Sequence, residues 1–134
     1  MMRAIIDTNV LVSGIFWSGT PARILEAWGN GRFSMVISPE ILHEYTRVIG
    51  ELATKKSIDT KAILDRITLG SEMVAAPRFK KQACVDPDDD RFLECAIAGK
   101  VPYIVSGEKL LLKLNPFEGI SILKATEFLK EVGV

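Results

Sequence analysis

The sequence predicts an α/β fold built on a parallel sheet with helices over both faces. Two observations carry that expectation. Short, continuous apolar runs alternate with longer amphipathic ones along the whole chain. The short runs are apolar at successive positions rather than at every second one, the signature of strands buried on both faces. Length and composition agree: 134 residues, 48% of them apolar, suffice for one domain, residues 1–134, with a core of its own. No repeat, low-complexity tract or linker interrupts it.

The elements follow in order. AII (4–6) is a buried strand ending at Asp7. Residues 8–17 and 20–30 read as helices, the second with Thr20 as N-cap and Pro21 at its first position. FSMVI (33–37) is a strand. SPEILHEYTRVIGEL (38–52) opens on a Ser-Pro start that parallels Thr20-Pro21, and Ile41, Tyr45, Val48 and Leu52 form its apolar stripe. A helix is expected over 57–69 and a strand over EMVAA (72–76). A helix from about 88 to 99, strand YIV (103–105), a short helix at 108–114, strand ISIL (120–123) and a helix from 125 complete the chain.

Composition removes several functions. Seventeen basic residues balance 17 acidic ones, so nothing attracts a polyanion globally. Any nucleic acid must be held by local basic groups or bound cations; Arg47, Lys55, Lys56, Arg78, Lys80 and Lys81 are candidates. Cys84 and Cys95 lack zinc-type spacing, His43 is the one histidine, and no triad is in sight. The thiols read as buried or half-buried in a cytoplasmic protein. The apolar N-terminus is broken by Asp7, Asn9 and Gly14, and no run reaches the ~18–20 residues of a membrane span. Phe16, Trp17 and Trp28 form a concentration of aromatic bulk that suits either core packing or a protein-binding face.

Acidic residues collect where such a sheet binds ligands, beyond the carboxyl ends of its strands. Asp7 follows the first strand and Glu108 follows YIVSG. VDPDDDRFLECAIAG (85–99) packs Asp86, Asp88, Asp89 and Asp90 before an apolar helix. Carboxylates near a helix N-terminus gain about 0.3–1 kcal/mol each, which accounts for one or two acids rather than four. At ~100° per residue, the stripe centres on Leu93 with Phe92, Ala96 and Ile97 beside it. Asp88, Arg91 and Cys95 point away, while Asp89 and Asp90 fall on its two shoulders. Phase alone does not separate that pair. Glu44 lies at the border of its own helix stripe, where a Glu commonly snorkels to solvent; Glu40 and His43 face outward. Converging carboxylates repel unless a cation intervenes, and oxygen-only ligands favour Mg²⁺ or Mn²⁺. Such ions promote phosphodiester hydrolysis. With no P-loop, nucleic-acid backbone cleavage is the leading chemistry.

At these residues the chain resembles the PIN-domain family, and within it the VapC-like toxin components of prokaryotic toxin–antitoxin systems. IIDTNVLVSG, SPEILHEYTRVI, DPDDDRFLECAIAG and YIVSGEKLLL match four motifs in order, with a turn at Gly99–Pro102 between the last two. The resemblance implies a three-layer α/β/α sandwich around a mostly parallel sheet, a Mg²⁺- or Mn²⁺-dependent ribonuclease site, an RNA substrate, an antitoxin protein and a homodimer. By position, Asp7, Glu44, Asp90 and Glu108 match the four acids, with Asp89 assisting. Thr8, Asn9 and Ser106 match supporting polar positions, and Asp86 and Asp88 cap and solvate. Two departures stand out. Glu108 replaces the usual Asp, and Leu110 stands where relatives often carry another. They support an alternative, a catalytically weakened PIN-fold module that binds RNA or a partner. A receiver domain or a haloacid-dehalogenase-type phosphatase needs acids that Asp7-Thr8-Asn9 does not supply.

Overall fold

The computed structural model describes residues 1–56 and 59–134. Its elements are β1 (Arg3–Ile6), α1 (Thr8–Phe16), α2 (Thr20–Gly29), β2 (Ser34–Ile37), α3 (Pro39–Lys56), α4 (Lys61–Gly70) and β3 (Glu72–Met73). A 3₁₀ turn (Pro87–Asp89) then leads into α5 (Asp90–Gly99), β4 (Tyr103–Val105), α6 (Lys109–Leu112), β5 (Ser121–Leu123) and α7 (Ala125–Val132). All strands run parallel in the order β3-β2-β1-β4-β5, and the fold is a three-layer α/β/α sandwich. The chain winds outward from β1 through β2 to β3, then returns to the other side of β1 for β4 and β5. The reversal between β1 and β4 is a topological switch point, where a crevice opens beyond the strand ends.

Register carries this geometry to the site. Ile6 pairs with Val105, and the ladder runs on as the Asp7 N–H donates to the Val105 carbonyl at 2.9 Å. The Ser106 N–H donates to the Leu123 carbonyl at 2.9 Å. Asp7 and Ser106 thus leave the sheet side by side.

The strands are held from both sides. Ala4, Ile5, Ile6, Met35, Val36 and Ile37 are fully buried. Phe128 of α7 meets Phe33 edge-on at 5.0 Å and Tyr103 at 5.7 Å, pairs worth about 0.5–1.5 kcal/mol each beyond their area. Gly14 lets α1 and α2 touch: a Cβ there would lie 2.7 Å from the Pro21 carbonyl oxygen.

Several boundaries differ from expectation. The cap position of α2 is Gly19, with no side-chain cap bond, and Thr20 is already helical. The strand expected over 72–76 spans only Glu72–Met73 at the sheet edge, with one further ladder bond from the Val74 N–H to the Ile37 carbonyl at 2.8 Å before Pro77. The helix expected over 57–69 runs from Lys61 to Gly70, and positions 57–58 lie outside the described residues. The Ser-Pro start of α3 is as read: the Ser38 hydroxyl accepts the Ile41 N–H at 3.2 Å. In α5, however, Cys95 is fully buried and Ile97 is exposed. This helix packs against β1, β2, β4 and also α3, so its buried arc is rotated and broadened from the apolar stripe. Among the described residues no helix is long and apolar enough to cross a membrane.

Candidate functional site

Asp7 is 3% exposed and caps α1, its Oδ1 accepting the Asn9 N–H at 3.3 Å. Its Oδ2 accepts the Ser106 hydroxyl proton at 2.6 Å. Ser106 in turn accepts the Glu108 N–H at 3.0 Å, and the Asn9 side-chain amide donates to Glu108 Oε1 at 3.4 Å. The two sides of the switch point are therefore one hydrogen-bonded unit.

Glu44 arrives from α3. Next to it the buried Tyr45 hydroxyl donates to the Ile6 carbonyl, pinning α3 to the last residue of β1. That contact turns Glu44 inward, where the Thr8 hydroxyl donates to its Oε2. Arg91 Nη1 lies 3.4 Å from Glu44 Oε1 while its Nη2 reaches Asp88 at 3.2 Å. Arg91, read from phase as outward-facing, instead supplies the local counter-charge. Its position directly after three aspartates was the available signal.

The acid cluster resolves into three roles. Asp86 caps the 3₁₀ turn, accepting the Asp88 N–H at 2.9 Å. Asp89 lies in the turn, and its pKa is pushed up to about 7, first by burial and then by the charges of Asp7, Glu108, Asp86 and Glu44. Asp90, expected to face the metal, lines the same helix start and accepts one backbone amide at each oxygen, leaving a lone pair on both. Oδ2 accepts the Ala83 N–H at 3.0 Å and Oδ1 the Cys84 N–H at 2.7 Å. Burial likewise raises the Asp7 pKa, opposed by its bonds from Ser106 and Asn9 and reinforced by the charges of Glu108 and Glu44. The charges of Asp7, Glu44 and Glu108 thus act on this site together with Asp89, which also feels Asp86.

This set suits a hard divalent ion in kind: oxygen donors, mutual repulsion, and Arg91 the cation that pairs with it among the described residues. No group of three or more His, Cys, Asp or Glu side chains among the described residues is placed to hold a metal ion by itself. Zn²⁺ would need one, whereas Mg²⁺ retains several waters and binds through one or two carboxylates plus substrate phosphates. A cleft of about 620 Å³ is lined by Arg78, Arg91 and His43 together with the acids Glu40, Asp88, Asp90 and Glu94.

The raised carboxyls make stability pH-dependent. Asp89 has a folded pKa of about 7 against 3.8 for the free side chain. Between those values Asp89 holds a proton in the folded chain that it has lost in the unfolded one, so its contribution to stability is full below about pH 4 and is lost as pH rises to about 7. After solvent screening the loss is on the order of 1 kcal/mol. Melts in EDTA should show it, and Asp89→Asn should flatten the profile across that window.

Phe16 and Trp28 pack partly buried against the core, whereas Trp17 is half exposed with Lys56 4.8 Å over its ring. Trp28 also lines an apolar groove of about 210 Å³ with Leu11, Ile15, Leu25, Ile63 and Ile67.

The described arrangement has counterparts in known proteins. Residues 3–110 match the family model for the PIN domain. Uncharacterized protein MJ1680 from Methanocaldococcus jannaschii is 28% identical over 118 residues, spanning 85% of this chain and 76% of that protein. Two solved structures share the fold. PAE2754 from Pyrobaculum aerophilum superposes with a TM-score of 0.65 at 13% identity, over 98% of this chain and 90% of its own. VapBC2 from Rickettsia felis, bound to a DNA fragment from its promoter, gives a TM-score of 0.60 at 17% identity, over 90% of this chain and 97% of the other. With a family match across most of its length and the switch-point acids it leads to, this chain belongs to the PIN-domain family.

Proposed function

We propose that the protein is a Mg²⁺- or Mn²⁺-dependent endoribonuclease that hydrolyses RNA phosphodiester bonds in the cytoplasm, as the toxin of a toxin–antitoxin pair. The observation that carries this reading is the hydrogen-bonded unit of Asp7, Ser106, Asn9 and Glu108 at the crevice between β1 and β4, with Glu44 tied to Thr8 and Asp89 sensing their charges. Those four would hold the ion. When bound, it supplies Lewis-acid stabilisation of phosphate charge and makes water nucleophilic near neutral pH. Ser106 and Asn9 keep Asp7 and Glu108 oriented, and Thr8 does the same for Glu44. Asp90 is assigned to hold the 83–84 segment rather than the metal. The partners under this reading are RNA, an antitoxin protein and a second copy of the chain. Likeness to VapBC2 supports the toxin assignment, and the Trp28 groove offers an apolar surface for a protein partner. The test is cleavage of structured and unstructured RNAs with Mg²⁺ or Mn²⁺ and with EDTA.

A second reading, a weakened module that binds RNA or a partner, rests on Glu108 and on Leu110, which is 46% exposed and brings no carboxylate. The double variant Glu108→Asp/Leu110→Asp separates the two. If the site works but is weakened, Mn²⁺ affinity and cleavage rise together, the rate by about tenfold, or roughly 1.4 kcal/mol. A flat response in both with the fold preserved favours the binding module.

A further inference from the structure

We propose that the loop Arg78-Phe79-Lys80-Lys81-Gln82 is a clamp for RNA backbone phosphates, fastened beside the acid cluster by Asp90 and Glu94. The inference rests on the nuclease reading and names how that site grips its substrate. A nuclease of zero net charge has no general attraction for RNA, and its own carboxylates repel phosphate. Fixed cations within reach of the acids are required.

This loop supplies three cations in four residues, all exposed. Among the described residues none of the three forms a salt bridge, unlike Arg3, Arg47, Lys61 and Arg91. The loop is also fixed, although it contains no helix or strand. Glu94 accepts the Phe79 N–H at 2.6 Å, and Asp90 accepts the amides of Ala83 and Cys84. The Gln82 side chain donates to the Cys84 carbonyl at 2.7 Å. Both anchoring acids lie on α5, directly after the turn that carries Asp89. The loop divides two hollows. Arg78 faces the 620 Å³ cleft, which Arg91 lines as well beside Glu40, Asp88, Asp90 and Glu94, and Lys80 and Lys81 line a second hollow of about 280 Å³ with Glu118. Phe79 borders both and packs 6.3 Å from Phe117. Cations therefore run from Arg91 beside Glu44 across the cleft to Lys80 and Lys81. Asp90 acts here as a positioning residue, through the backbone it holds.

The experiment is a fluorescence-anisotropy titration of a labelled single-stranded oligoribonucleotide across a range of salt, in an Asp7→Asn background with Mg²⁺ present. Arg78→Ala/Lys80→Ala/Lys81→Ala should weaken binding at least tenfold at low salt. It should also flatten the dependence of log K on log salt by about 2, three phosphate contacts at roughly 0.7 each. Removing three cations elsewhere, Arg23→Ala/Arg32→Ala/Lys130→Ala, should leave that slope in place. An unchanged slope in the loop variant, or an equal loss in the control, overturns the clamp. So does a loop variant that loses an acidic protein partner but binds RNA as before. If wild type cleaves RNA and the loop variant does so with the same KM, the clamp fails and the nuclease reading survives. If the background protein binds no RNA and wild type cleaves none, both fall.

Discussion

Asp7→Asn is expected to abolish metal-dependent RNA cleavage, by at least about a hundredfold or ~2.7 kcal/mol of barrier, while raising the melting temperature in EDTA. Asp7 is nearly fully buried, capping α1 and receiving the Ser106 hydroxyl. Asparagine keeps its shape and an oxygen for one of those bonds, so the fold survives. What disappears is a buried negative charge facing Glu108 and Glu44, whose repulsion and desolvation raise the aspartate's pKa. A raised folded pKa means that ionisation at neutral pH opposes folding, and a neutral amide removes the penalty. The two readouts move in opposite directions, so a general loss of structure cannot imitate the result. Cleavage by Asp7→Asn equal to wild type, with contaminating nucleases removed, would sink the proposal.

Three of the four acids proposed to hold the ion occupy positions that follow from local pattern. Asp7 and Glu108 come at or just after the ends of short apolar runs, where a parallel sheet delivers residues to its ligand edge. Glu44 sits one residue before a stripe position, and the Tyr45 bond to the Ile6 carbonyl turns that adjacency into an inward carboxylate. The fourth acid was not legible from phase. Residues Pro87–Asp89 form a 3₁₀ turn with about three residues per turn, so helical phase counted back from Leu93 at 100° per residue drifts across it. Asp90 takes its role from the amides of Ala83 and Cys84, in a segment without periodicity. Cys95 was misread for a related reason. An apolar stripe reports one packed face, and α5 has both the sheet and α3 against it.

Asp89→Asn and Asp90→Asn should shift stability in opposite directions, though the residues are adjacent. Asp90 is 7% exposed and each of its oxygens satisfies a backbone amide. Asparagine keeps one acceptor and turns an NH₂ donor toward the other N–H. A buried donor left without a partner costs about 1–3 kcal/mol, and the remaining bond loses its charge assistance. Asp90→Asn should therefore melt several degrees lower, and RNA affinity should fall as the basic loop loosens, while Mn²⁺ affinity stays close to wild type. Asp89 has no comparable bonds, and its carboxyl is pushed up to about 7 chiefly by burial, then by the neighbouring acids. Asp89→Asn should melt higher in EDTA at neutral pH, lose most of its Mn²⁺ affinity and cleave RNA at least tenfold more slowly. Thermal melts with and without divalent ions, run beside a Mn²⁺ titration, read both variants. If Asp90→Asn lost Mn²⁺ binding at an unchanged melting temperature while Asp89→Asn kept it, the third metal-facing acid would be Asp90, as position in the motif implies. The second lone pair on each Asp90 oxygen would then serve the ion beside the contacts to Ala83 and Cys84.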